Sequence, residues 1–155
     1  MGNPSWREIK KVSVPDPAGS IWTPALDYVT PNKLYRLAVE PVPDSTSNTT
    51  PPPMQQQMWT PESGSPCTAD GDQALSRTPG LDTCAVGALI GKVGGSSSDI
   101  KIDAAKLILF SVGRHCVFSV TDPLKTGSLY LGINDTKDSV AKVTGQLTVT
   151  IYEAL

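Results

Sequence analysis

The chain is predicted to be an all-β protein built as an antiparallel β-sandwich. Three observations carry that prediction. Apolar and polar residues alternate at period two in one short segment after another. Fourteen prolines and 13 glycines punctuate the 155 residues and leave little room for long helices, whose interiors proline disrupts. Turn-forming residues separate the alternating segments, as they do in sandwiches.

Residues 7–14 (REIKKVSV) form the first strand; Ile9 is out of step with Val12 and Val14, as a bulge or an edge strand requires. Residues 33–39 (KLYRLAV) form the next, with Tyr35, Leu37 and Val39 inward. Seven of the 14 prolines then fall within 41–66. Its stretch DSTSNTTPPP, residues 44–53, has almost no apolar content and is expected as an exposed loop or locally disordered insertion with polyproline character. The plainer reading is an insertion the fold tolerates. The glutamines at 55–57 are too few to make a low-complexity tract.

Residues 85–93 (AVGALIGKV) are continuously apolar and interrupted by glycine, as a central strand covered on both faces would be. Over 100–112 a short helical turn competes with a strand at 107–112, and the strand is the better reading. GGSSS at 94–98 and Gly113 supply turns. In 114–121 Cys116, Phe118 and Val120 share a face, which turns His115 toward solvent. The two clearest strands are 127–133 (GSLYLGI), with Leu129, Leu131 and Ile133 on one face, and 145–152 (GQLTVTIY), with Leu147, Val149 and Ile151 on one face.

The length suits one domain over residues 1–155, carrying the 41–66 insertion, since single cores commonly hold ~100–200 residues. Thirteen basic residues against 15 acidic ones give a net charge of −2, which argues against nucleic acid as the main partner. The chain lacks the run of ~18 apolar residues a membrane-spanning helix needs. Residues 1–14 contain no apolar stretch of signal-peptide type, so the expected locations are the cytoplasm or the outside by a non-classical route.

Few residues could carry chemistry. His115 is the one histidine, so triad catalysis would depend on it alone, and no GxSxG, HExxH or P-loop accompanies it. The three cysteines are Cys67, Cys84 and Cys116, without ligand spacing for zinc. Cys116 reads as a small buried apolar residue; Cys67 and Cys84 flank a loop, and whether they pair is left open. Carboxylates gather at Asp70-Gly-Asp72 and at Asn134-Asp135 with Asp138, where they could serve as hard-cation ligands or as a glycosidase pair. Asp-Gly-Asp is also a common turn sequence, whereas Asn134-Asp135 ends a strand where a sandwich displays its binding loops. Trp59 adjoins the insertion, either as an aromatic face for stacking on a sugar ring or as a lid that closes the sandwich end.

Taken in order, GALIGKVG at 87–94, GSLYLGIND at 127–135 and GQLTVTI at 145–151 resemble the bacterial galactose-binding lectins of the LecA type. Upstream, MWTP at 58–61 and Asp70-Gly-Asp72 match that family's Trp-x-Pro and Gly-Asp elements. The resemblance covers 33–151 apart from the insertion. It implies a small jelly-roll-like, galactose-binding-domain-like sandwich without catalysis. In the family a loop after the Asn-Asp pair binds calcium, which orders the sugar hydroxyls. That pair falls on Asn134 and Asp135 and a family threonine on Ser139. Two further asparagine ligands fall on Lys142 and Val143, an ammonium and an isopropyl group, although calcium needs ~6–8 oxygens. The family's sugar-contacting histidine and glutamine are also missing from QALSRT at 73–78.

The resemblance therefore leads to a non-catalytic, lectin-like protein with an altered, calcium-independent site made from Trp59, Asp72, Asn134, Asp135, Asp138 and Ser139. Its partner would be a galactose-like glycan, with no cofactor, and Asp135 is the one candidate metal ligand. Weak single sites of this kind gain from homo-oligomerisation. The alternative is a structural or protein-interaction module that keeps the scaffold and has lost sugar binding.

Overall fold

The structure, a computed structural model, describes residues 5–17, 19–62, 65–72, 85–99, 107–135 and 143–155. Its strands are β1 (Trp6–Val14), β2 (Thr23–Leu26), β3 (Tyr35–Ala38), β4 (Val42–Pro43), β5 (Met54–Gln55), β6 (Leu89–Val93), β7 (Ile108–Ser111), β8 (His115–Phe118), β9 (Leu129–Ile133) and β10 (Leu147–Ala154). One four-stranded sheet has the order β1-β10-β3-β8 and the other β2-β9-β6-β7. All the pairings are antiparallel. Without the small β4–β5 ladder, the first strand pairs with the last, the second with the last but one, and so inward to β6 with β7. A ribbon of nested antiparallel pairs wrapped into two sheets is a jelly roll.

The alternating segments lie where their patterns place them. Leu37, Leu147, Val149 and Ile151 of one sheet meet Leu89, Val93, Leu129 and Leu131 of the other in a single buried core. β1 is an edge strand whose register with β10 shifts between Glu8 and Lys10, so Ile9 sits in the expected bulge. On β8, Phe118 stacks on Tyr35 at 5.5 Å between ring centroids and meets Phe110 at 4.8 Å. His115 is exposed. β2 is a strand that the alternation did not announce; Pro24 sits in it because an edge strand can spare an N–H donor. The first part of the ambiguous 100–112 segment lies outside the described residues; β7 occupies Ile108–Ser111.

The insertion departs from a featureless loop. β4 and β5 pair through Val42 with Gln55 and Pro43 with Met54. Asp44 N donates to Pro53 O at 2.9 Å, and the Asp44 carboxylate accepts from both Thr46 N and Thr46 Oγ1. Those bonds hold the Asp44 carboxyl below its ordinary value. The insertion is thus an exposed hairpin, closed by polar bonds of its own.

β6 is buried along its length, as a strand covered on both faces should be. Its outer face carries Lys92, with 0 % of the side chain exposed. The ammonium donates to Asp99 Oδ2 at 2.8 Å and to Ser96 O at 2.6 Å, and lies 4.8 Å from the centroids of both the Trp22 and Tyr130 rings. Trp22 Nε1 donates in turn to Asp99 O. The glycine-serine turn is therefore folded over β6 around a buried cation. The bond from Lys92, with those from Ser96, lowers Asp99 from an ordinary 3.8 to about 2, while burial pushes Lys92 down.

An aspartate held low in the fold adds stability that is full above its unfolded value and fades as the pH falls toward its folded one. Unfolding stability should therefore decline between about pH 4 and pH 2, and Asp99→Asn should flatten that part of the profile. Denaturation followed by intrinsic tryptophan fluorescence at stepped pH checks this. An unchanged slope in the variant would assign the acid sensitivity to other carboxylates.

Candidate functional site

The site is built where β9 ends. Asn134 follows Ile133 and is held on three sides by the turn at 85–88. Its N–H donates to Ala88 O at 2.9 Å, its carbonyl accepts from Gly87 N at 2.7 Å, and its Nδ2 donates to Ala85 O at 3.0 Å. Gly87 has φ +85°, and a Cβ there would lie 2.5 Å from Cys67 Sγ. A close approach of backbone and thiol at a left-handed position requires glycine.

The carbonyl of the same glycine accepts from Trp59 Nε1 at 2.7 Å. Trp59 and Cys67 exchange both backbone bonds of an isolated bridge, which closes the segment between them into a loop. From that loop Glu62 N donates to Asp135 Oδ2 at 2.8 Å. Asp72 enters from the other side: its N–H donates to Val86 O at 2.7 Å, and its Oδ2 accepts from Ser65 N at 3.4 Å. Residues as far apart in sequence as 59, 72, 134 and 135 thus converge on one turn.

Their roles differ from what residue type suggests. Trp59 is 1 % exposed, so its ring packs into the end of the core with almost no face open to solvent. With its one polar atom satisfied by Gly87 O, the rest of the indole is apolar surface that burial stabilises. Asn134 is 0 % exposed and positions the strand end. Asp135, 8 % exposed, and the half-buried Asp72 stand at the rim. Asp138, Ser139 and Lys142 lie outside the described residues, as do Cys84 and the 73–78 stretch. Cys67 has a free, buried thiol, raised by burial and then by the Asp72 carboxylate, which disfavours the reactive thiolate.

Asp70 does not join Asp72. Its two oxygens accept from Arg114 N, at 2.9 Å, and from Arg114 Nε, so it staples the turn after β7. The Asp-Gly-Asp fragment therefore sends its two carboxylates to different partners. Residue-type reasoning also missed the groups that build the site, since most are backbone: the Gly87 carbonyl, the Ala85 and Val86 carbonyls and the Glu62 N–H. The available signal was a glycine inside an apolar run, which marks a close backbone approach.

Among the described residues no three His, Cys, Asp or Glu side chains group as a metal site. The Asn134 amide nitrogen donates to Ala85 O, and Asp135 Oδ2 accepts from Glu62 N. Among the described residues, this end presents a rim of carboxylate acceptors, Asp72 and Asp135.

No protein-family profile matches the chain, and no curated protein matches it. Among solved structures, the EclA N-terminal domain, described as a PllA-like lectin, is similar over 94 % of this chain and 97 % of that chain. The two are 16 % identical, with a TM-score of 0.49.

Proposed function

We propose that the protein is a non-catalytic carbohydrate-binding module that meets sugar hydroxyls at the Asp72–Asp135 rim without calcium. The observation that carries this reading is the convergence just described. The Trp-x-Pro, Gly-Asp and Asn-Asp elements, which the lectin resemblance picks out from distant parts of the sequence, meet around Gly87. Carboxylate oxygens fixed by backbone N–H groups suit a ligand that brings hydroxyl donors, and their rigidity limits the ordering cost of binding. The absence of catalysis is part of the proposal, supported by an exposed His115 and by an Asp70 committed to Arg114. The ligand is proposed to be galactose-like, and homo-oligomers would raise the avidity of such a single site.

A glycan array tests the reading. The wild-type chain should retain at least one galactose-bearing glycan with chelator present. Asp135→Asn should weaken that signal by about tenfold or more, since hydrogen bonds to charged groups contribute roughly 1.5–3 kcal/mol. An array with no glycan above background contradicts the proposal. That result would leave the interaction-module reading, favoured by one feature: β8 is an edge strand with Val117 46 % exposed.

A further inference from the structure

Beside the proline-rich hairpin lies an open cleft of about 370 Å³, lined by Val42, Gln55, Gln56, Gln57, Met58 and Gln146. That volume is at the lower end of small-molecule sites, which run ~300–1,000 Å³. Four of its six lining residues are glutamines, and none is charged.

Two of the glutamines are fixed. Gln57 Oε1 accepts from Thr148 N at 2.7 Å, and Gln57 Nε2 donates to Thr148 O at 3.2 Å and to Glu40 O at 2.9 Å. The Gln57 carboxamide thus pairs with the β10 backbone as a strand residue would. Gln146 Nε2 donates to Pro15 O at 3.1 Å. The other two, Gln55 and Gln56, are exposed, and their carboxamides make no hydrogen bond among the described residues. Met58, 51 % exposed, and Val42 add apolar surface.

We propose that this cleft is a binding site for a neutral saccharide, separate from the Asp72–Asp135 rim. A carboxamide offers a donor and an acceptor side by side, which matches neighbouring hydroxyls on a sugar ring. Met58 and Val42 can cover the apolar C–H face of that ring. An ionised ligand would shed water with no counter-charge on the lining to compensate, so the cleft selects against charge. The inference rests on the carbohydrate-binding reading and adds a second place for sugar, on the side of the hairpin.

Two-dimensional ¹H–¹⁵N NMR of the full chain tests it, because glutamine side-chain amides give their own signals. The probes are the methyl glycosides of galactose, glucose and mannose, with lactose, and glucuronate as the charged comparison. At least one neutral probe should shift the Gln55 and Gln56 side-chain amides saturably. Gln55→Ala with Gln56→Ala should weaken that binding about fivefold or more, through the loss of neutral hydrogen bonds to the sugar. Asp135→Asn should leave those shifts in place. Both glutamines are exposed, so an otherwise unchanged spectrum will show that the double variant folds. Saturable shifts confined to the Asp72 and Asp135 neighbourhood would overturn the cleft and leave the rim standing. No saturable shift with any sugar would overturn both. Glucuronate binding as tightly as its neutral counterparts would contradict the proposed selection against charge.

Discussion

Trp59→Ala is expected to lower the free energy of unfolding by about 3–5 kcal/mol, the usual cost of truncating a buried tryptophan. Trp59 is among the largest fully buried side chains of the described residues, and its loss would open a cavity at the end of the core. It would also leave Gly87 O without the donor it now accepts from at 2.7 Å. The consequences should reach beyond stability. Gly87 is hydrogen-bonded to Asn134, and Asn134 leads directly into Asp135, so the rim depends on the same turn. At roughly 2–4 °C per kcal/mol for a protein of this size, the midpoint of thermal unfolding should fall by roughly 6–20 °C. Trp59→Phe fills most of the space and loses the Nε1–H bond, so it should cost less than alanine yet still disturb the rim. Calorimetry gives the stabilities, and the Asp135 amide shift reports the rim. A Trp59→Ala variant as stable as the wild type would mean that the indole does not close the core.

Lys92→Ala is the second large effect, at about 3–5 kcal/mol, the range for breaking a buried ion pair by removing one partner. Two losses combine there. The stem leaves a void between Trp22 and Tyr130, and the Ser96 carbonyl and the Asp99 carboxylate lose their donor. Burial pushes Lys92 down while its bond to Asp99 holds that carboxyl low, so desolvation of the ammonium offsets part of the attraction. Lys92→Met, which keeps the apolar stem, should therefore recover part of the loss. Urea unfolding of both variants separates the terms through their midpoints. If methionine costs as much as alanine, charge rather than volume dominates, and the packing of the turn over β6 has been overrated.

Much of the fold is written in local pattern. Leu129 and Leu131 on β9, and Leu147, Val149 and Ile151 on β10, alternate because each strand has one face in the core and period two is the geometry of a strand. The bulge at Ile9 was visible because an extra residue breaks that period. β2 was hidden by Pro24, since the edge position that makes proline harmless is a property of the sheet and not of the segment. The β4–β5 hairpin was hidden because polar bonds, among them those of Asp44, hold it without an apolar face.

The candidate site was legible as a set of residues and not as a set of roles. Asn134 and Asp135 stood out by following a clear strand. That Asn134 is a brace and Asp135 a rim acid depends on the 85–88 turn and on Glu62 N, contacts made across long stretches of sequence. Trp59 had two readings because an indole is equally suited to a sugar face and to a core, and burial alone decides between them. Lys92 was masked by its apolar neighbours, and its counter-charge, Asp99, lies in a glycine-serine turn that reads as solvent-exposed.

The central claim is sugar binding at the rim without calcium. Calorimetric titration of galactose into metal-stripped protein, repeated after calcium is added, tests it most directly. The prediction is a saturable heat of sugar binding in the stripped protein, unchanged by calcium and reduced by Asp135→Asn. Sugar heat that appears only once calcium is present would contradict it and restore a metal-ordered site, and no heat under either condition would remove sugar binding at the rim.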